Sequence, residues 1–376
     1  MKIGIYTPYL NAYGGGEKYI CKIAEILSEK NSVEFIVLEK LDKIQFQDRL
    51  NVNLNKVGIN YIKIPNLLNR IPYFRTLIRI YTISRISKNC DLFINQENNT
   101  VIPSQARKSI FISQLPTRKL GELSLLKPIN NILVDLQLNT YHKIITYSLF
   151  NKKHIQEWWN KSNIDVLYPP IEKIRSSIKK NIILCVGRFF IVVNGHNKKQ
   201  LEMIRFFKQL YKENKILKDW EYHLVGGLSE NIKDQEYLEK CKEEARSYPV
   251  YFHINVAFQD LKELYGMAKI FWHATGFNED KKKHPERMEH FGITTGEAMS
   301  AGCVPVVINR GGQPEIVRNL IDGFLWNNTE ELKKHTLKLI SNNNLWQKMS
   351  QTSIKRSQEF GINKFRERVK LIINDI

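Results

Sequence analysis

The sequence predicts an α/β protein made of two successive domains with parallel strands. Three observations predict it. Short apolar runs with the look of buried strands alternate with amphipathic helical stretches. The alternation halts near Pro169 and Pro170 and then begins again. A chain of 376 residues is long for one ordinary domain and comfortable for two, each burying a core.

Taken in order, KIGIY reads as a strand, TPYLNAYGGG as a loop, and EKYICKIAEILSE as a helix, with Tyr19, Ile20, Ile23, Ile26 and Leu27 at helical spacing. VEFIVL follows as the second strand. Strand, Gly-rich loop, helix and strand open a parallel α/β unit. CDLFINQ, KSIFISQ and HKIITYS continue it to about Pro170. Beyond the joint LYPPIEKIRSSIKK, NIILCVGRF, EYHLVGG, VYFHINV and KIFWHAT read as strands. NKKQLEMIRFFKQLYKE, QEYLEKCKEEARS and QDLKELYGMA read as the helices between them. CVPVVIN and a helical tail close the chain.

Composition bounds the class. Hydrophobic residues at 43% and aromatics at 11% exclude a disordered chain, and no apolar run reaches the roughly 18 to 20 residues of a membrane span. The start, MKIGIYTPYL, lacks the apolar core of a secretory signal, so an intracellular, cytoplasmic protein is expected. Cys21, Cys90, Cys185, Cys241 and Cys303 stand singly, as expected of free thiols in a reducing compartment. The nine histidines form no ligand pair and no Asp-x-Asp occurs, so no metal site is expected. A net charge of +19 points to nucleic acid, an anionic membrane or phosphorylated small molecules, without choosing among them. From Arg49 to Lys88 there is no acid, and eight cations are interleaved with apolar residues.

The chemistry gathers in MEHFGITTGEAMSAGCVPVVINRGGQPEIV, Met288 to Val317. Gly292 to Thr295 are expected to form a helix N-terminus, whose unpaired N–H groups and positive dipole attract phosphate. Glu289 falls before that helix and Glu297 in its first turns. Carboxylates do not bind phosphate, but they accept hydrogen bonds from vicinal hydroxyls, as in a ribose or hexose. Phosphate plus two diol-binding carboxylates describes a sugar nucleotide. Matching cations are Arg188, just past the strand of VGRFF, and Lys198 and Lys199 at the next helix start. Taken singly, these cations also suit a surface ion pair and a solvated helix end.

These residues resemble the retaining nucleotide-sugar glycosyltransferases of family 4, with the GT-B fold. The resemblance rests on the Glu-(seven residues)-Glu signature of Glu289 and Glu297, on EAMSAGCVPVV, GGQPE, VGRFF, KKQLEMIRFF and LYPPI, and on the N-terminal YGGGEKY. It implies two Rossmann-like domains facing a cleft: an acceptor domain, residues 1–170, a donor domain, residues 171–355, and a helix, residues 356–376, returning to the first through INKFRERVKLIIND. It implies that Arg188 and Lys198 bind the donor diphosphate, Glu297 the ribose, and Glu289 the transferred sugar. Backbone N–H groups of Phe291, Gly292, Ile293 and Thr294 would hold sugar and phosphate. Gly15 and Gly16 would approach the diphosphate, with Glu17 on the sugar side, and Val256 would lie by the base. Where many relatives carry a sugar-contacting His, this chain has Gln114, which leaves sugar preference open.

The implied reaction is hexosyl transfer with retention, from a UDP- or GDP-sugar to a glycan or lipid-linked acceptor, with no cofactor and no metal. The departing phosphate itself takes the acceptor proton, and no Ser-His-Asp or Cys-His arrangement offers another chemistry.

Rival readings remain at this stage. A GT-B sugar-nucleotide epimerase would use a similar donor site. A nucleic-acid-binding protein would explain the charge, but no recognised motif supports one. Gly14 and Gly16 followed by Glu39 imitate a dinucleotide fingerprint whose third Gly is replaced by Tyr19. Trp158 and Trp159 are expected to pack in a core or hinge. Residues 66–90 are either an amphipathic helix packed on the first domain or a surface for an anionic membrane, and so for a lipid-linked acceptor.

Overall fold

The computed structural model describes residues 1–376 except 9, 13, 65–71, 98–99, 116–126 and 192–196. The start of the basic segment, residues 66–71, therefore lies outside the described residues. Two compact units form, Met1–Tyr168 with Phe365–Ile376, and Pro169–Lys364.

The first unit is a seven-stranded parallel sheet. Its strands are β1 (Lys2–Tyr6), β2 (Ser32–Val37), β3 (Val57–Tyr61), β4 (Leu92–Gln96), β5 (Lys108–Ser113), β6 (Lys143–Thr146) and β7 (Ile164–Val166). Helices α1 (Gly15–Leu27), α2 (Lys43–Leu50), α3 (Pro72–Ser87), α4 (Lys127–Leu138) and α5 (Leu149–Trp159) connect them. The order β3-β2-β1-β4-β5-β6-β7 reverses between β1 and β4. Ile83 of α3, Leu138 of α4, and Ile155 and Trp159 of α5 form one core with Phe93 and Phe111, so Trp159 is core as expected.

In the second unit β8 (Lys180–Val186), α6 (Gln200–Glu213), β9 (Glu221–Gly226), α7 (Ile232–Ala245) and β10 (Val250–Ile254) lead to α8 (Phe258–Met267) and β11 (Ala268–His273). Then come α9 (Ile293–Ser300), β12 (Val304–Ile308), α10 (Gln313–Ile316), β13 (Phe324–Trp326), α11 (Thr329–Ser341) and α12 (Asn343–Ser357). The parallel order is β10-β9-β8-β11-β12-β13, with the reversal between β8 and β11. Trp272, Trp326, Tyr222 and Phe207 fill its core. Two Rossmann-like parallel-sheet domains are thus present.

The last helix, α13 (Ile362–Asn374), runs into the first unit. Its Val369 and Ile372 line one small apolar cavity with Ile23, Ile94, Ile112 and Ile145, and Phe365 sets its ring 5.6 Å from that of Tyr19. Lys143 pairs with Asp375, and Arg366 with Glu29.

Three local features differ from the sequence reading. Gly15 and Gly16 belong to the first turn of α1 rather than to a loop, because Gly14 is the N-cap and the Glu17 carboxylate accepts the Gly14 N–H at 2.7 Å. Lys199 is not helical: its φ of 63° is left-handed, and α6 starts one residue later. The strands β3, β7 and β13 were not anticipated, since β3 is an edge strand with an exposed pattern and the other two have three residues each.

Candidate active site

In an open parallel sheet, ligands bind beyond the carboxyl ends of the strands where the order reverses, because the connections there diverge to opposite faces. In the second unit that place lies beyond β8 and β11. Arg188 follows β8 and is exposed, its guanidinium 5.4 Å from the Phe190 ring. Lys198 is half-buried and reaches back across Gly187, where an added Cβ would lie 3.1 Å from Lys198 Cγ. Its Nζ lies 2.7 Å from Glu289 Oε2, in the loop after β11. Sequence reasoning put Lys198 and Glu289 in one pocket; the fold puts them in direct contact.

Glu289 Oε2 is also 3.0 Å from Nε2 of His273, the last residue of β11, and His273 Nδ1 is 3.2 Å from Gln313 Nε2. Thr275 Oγ1 lies 3.3 Å from the same Nε2. Burial alone would raise the Glu289 carboxyl, but the Lys198 ammonium and the His273 N–H together hold it well below the usual carboxylate range. Burial pushes the His273 imidazole down, against the smaller pull of Glu289, so the ring is neutral at pH 7. The site is thus a carboxylate, an ammonium and a neutral imidazole.

Gly292 is the N-cap of α9, at φ 115°, a conformation in which a side chain is strained. The first N–H groups of the helix, at Ile293 and Thr294, have no acceptor one turn back, which suits an anion. Phe291 is buried just before it. Glu297 is 3% exposed in the middle of α9, and the Tyr265 O–H donates to its Oε2 at 3.3 Å. The Gly311-Gly312 pair packs onto this loop: the Gly312 N–H donates to the Glu289 carbonyl at 2.8 Å. Glu315 sits in α10, and Arg356 donates to its carbonyl at 2.6 Å.

Lys199 does not join Arg188 and Lys198. It pairs with Glu279 at 2.7 Å, and Arg287 holds the same carboxylate at 2.9 Å, which ties the loop after β11 to the start of α6. Val256 is half-buried in the turn between β10 and α8, beyond the carboxyl end of the edge strand.

In the first unit, Gly16, Glu17 and Gln114 lie together beyond the carboxyl ends of β4, β5 and β6. Gln114 packs so closely on Gly16 that a Cβ there would meet its Nε2 at 2.2 Å. Gln96 donates to the Gly16 carbonyl at 3.0 Å and to the Tyr147 hydroxyl, and Gln114 donates to the same hydroxyl at 3.4 Å. Gly15 is exposed at the helix start. Sequence reasoning missed His273, Gln313, Gln96 and Tyr147. For His273 and Gln96 a signal existed: a polar residue ending an apolar strand of an open α/β sheet points to where ligands bind.

Residues 171–356 match the family described as glycosyl transferases group 1. The second unit of the chain carries this family's domain. Among named relatives, it is 24% identical over 364 residues to a Candida glabrata alpha-1,3/1,6-mannosyltransferase, ALG2, covering 84% of this chain and 78% of that protein. It is 25% identical over 280 residues to a Dictyostelium discoideum GDP-Man:Man(3)GlcNAc(2)-PP-Dol alpha-1,2-mannosyltransferase, covering 63% of this chain and 53%, about half, of that protein's length. Among solved structures, Anabaena Alr3699/HepE in complex with UDP and glucose aligns with a TM-score of 0.72 at 15% identity over 100% of both chains. A Rickettsia africae glycosyltransferase aligns at 0.70 and 17%, over 100% of this chain and 98% of its own. These likenesses establish the GT-B fold for this chain. Among the described residues, no cluster of three or more His, Cys, Asp or Glu could hold a metal ion, and no helix is long and apolar enough to cross a membrane.

Proposed function

We propose that this glycosyltransferase moves a hexosyl group, with retention, from a nucleoside-diphosphate sugar to a glycan or lipid-linked acceptor. The observation that carries this reading is the Lys198–Glu289 contact of 2.7 Å at the point where the second sheet reverses order, with Arg188 just past β8 and α9 starting soon after Glu289. Arg188, Lys198 and the first N–H groups of α9 bind the diphosphate and stabilise the charge that grows as it leaves. Glu289, held ionised, accepts a hydroxyl of the transferred sugar, and Glu297, oriented by Tyr265, accepts the ribose hydroxyls. The leaving phosphate takes the acceptor proton, and the reaction runs without a metal or other cofactor. Val256 lies by the base. The first unit, with Glu17 and Gln114, serves the acceptor or sugar side.

The named relatives favour a mannosyl group from GDP-mannose and a lipid-linked oligosaccharide acceptor, because the Dictyostelium protein's name gives both substrates. The Anabaena neighbour binds UDP and glucose, which keeps a UDP-sugar in the comparison. Lipid-linked substrate suits a protein working peripherally on the cytoplasmic face of a membrane. Exposed Phe74, Leu77 and Tyr81 on α3 support that placement.

Thermal-shift titration with UDP-glucose, UDP-galactose, GDP-mannose and the free nucleotides tests the donor. A ligand that binds only the folded chain raises its melting temperature. The expected result is a shift with one base and a larger one with its sugar, unchanged by EDTA. No shift with any nucleotide or nucleotide sugar overturns the reading. Product anomeric configuration, read by NMR, tests retention, and an acceptor-free epimerised product would identify an epimerase instead.

A further inference from the structure

Glu289 has two partners of different kinds. Lys198 is a half-buried, flexible ammonium beside the proposed diphosphate position, whereas His273 is 3% exposed and fixed on a core strand. Both reach the same oxygen, Oε2. A diphosphate entering beside Arg188 competes for Lys198, and a half-buried carboxylate left with no donor would bind a proton instead.

The far side of the His273 ring is just as constrained. Gln313 is fully buried, and its amide occupies the space above Gly292: a Cβ there would stand 2.7 Å from Gln313 Nε2. The glycine at the N-cap of α9 thus lets Gln313 reach Nδ1. With the amide N–H donating to Nδ1, the imidazole proton must sit on Nε2 and face Glu289. Gln313 Oε1 is buried with no hydrogen-bond partner among the described residues. That orphan is a cost borne in keeping the amide in this orientation.

We propose that His273 and Gln313 are positioning residues for Glu289: Gln313 sets the tautomer of a neutral His273, whose Nε2–H keeps Glu289 charged and aimed when Lys198 turns to the donor diphosphate. This rests on reading the site as a donor site. Both donors fall on Oε2, so Oε1 is the oxygen that meets the sugar hydroxyl. Among the described residues, the charged and titratable groups facing His273 and Glu289 are Lys198 and the half-buried His290, whose imidazole is pushed down by desolvation. None of these replaces a fixed N–H donor.

The test compares the full-length wild type with His273→Ala, His273→Gln and Gln313→Leu. Free UDP and GDP binding is measured by calorimetry, and kcat, KM and the pH profile with the donor chosen by thermal shift. His273→Ala is expected to lower kcat about 100-fold, with nucleotide affinity within about threefold of wild type. Its acid limb should move to higher pH, because Glu289 protonates more readily without its donor. His273→Gln, which keeps an N–H toward Glu289, should recover about tenfold of that loss. Gln313→Leu should give an intermediate loss with the same pH displacement. Should His273→Ala fail to fold, the Gln and Leu variants decide the matter by the same readouts. Wild-type kcat and pH profile in the folded variants, or equal losses in His273→Ala and His273→Gln, overturn the assignment while leaving the donor site standing. A wild type that binds no nucleotide or nucleotide sugar overturns both.

Discussion

Glu97, immediately after β4, is 2% exposed, with Arg79 Nη2 at 3.2 Å from its Oε1. Burial outweighs Arg79 and Thr100, and the carboxyl is pushed up to about 7. The folded chain therefore holds a proton here that the unfolded chain releases above the ordinary carboxylate range of about 4.3. Stability from this group is full below that range and lost as pH rises toward 7. Glu97→Gln should flatten the fall in melting temperature between about pH 5 and pH 7; an unchanged slope would refute the assignment. Glu289 has the opposite sign, since its carboxyl is depressed: its contribution is present at neutral pH and lost as acid protonates it. Glu289→Ala should cut transfer by at least about 100-fold while the circular dichroism spectrum stays native. Near-normal turnover would remove Glu289 from the site. Glu289 and Glu297 were legible because their spacing lies within one stretch of chain. His273 left a weaker signal, since a histidine closing an apolar strand marks the ligand end of the sheet but reads equally well as core.

Short elements carry the site through close backbone packing. At Gly311 φ is 60°, and an added Cβ would fall 2.1 Å from the Glu289 carbonyl oxygen. Gly311→Ala must displace that loop, at a cost of about 1 to 3 kcal/mol. Denaturant melts should show the loss together with a drop in kcat, whereas stability within about 0.5 kcal/mol of wild type would mean that the loop yields freely. Helix α13 is a second case. Phe365 is 3% exposed against Tyr19, so Phe365→Ala should destabilise by about 3 to 5 kcal/mol. A calorimetric scan would register this as a lower melting temperature for the first unit. Helices α1, α6, α7 and α8 and the buried central strands were legible element by element, whereas α2, α4 and α5 were not read. The edge strand β3 was not, for its Val57, Gly58, Ile59 and Asn60 give too little apolar contrast. The start of α1 was not either, because glycines in a first turn look like a loop until the Glu17 cap is seen.

For the molecule as a whole, part of the net charge of +19 lies beside exposed apolar residues. On α3, Phe74, Leu77 and Tyr81 are exposed, with Arg75 and Arg85 exposed beside them. Ile132, Leu133 and Leu136 are exposed on α4, whose Leu138 joins Ile83 of α3 in one core. Arg79 turns inward to Tyr6 and Thr100 and is withdrawn from any membrane contact. Cations near an anionic surface contribute about 1 kcal/mol each and are screened by salt. Co-sedimentation with phosphatidylglycerol-containing vesicles should therefore exceed that with phosphatidylcholine alone and weaken in high salt. Phe74→Ser with Leu77→Ser should reduce it further. Equal binding to both vesicle types would refute the membrane reading.

The sequence by itself determined the alternation of strands and helices, the break at Pro169, and the Glu-(seven residues)-Glu stretch with its glycines. All are local in the chain, and periodicity or spacing suffices to read them. Tertiary structure alone decided that Lys198 meets Glu289, 91 residues away, and that Gln313 meets His273, 40 residues away. The pairing of β8 with β11 brings the first two together, and the pairing of β11 with β12 the second two. Strand order is a property of the whole sheet, set by which apolar faces bury one another, and no window of sequence contains it.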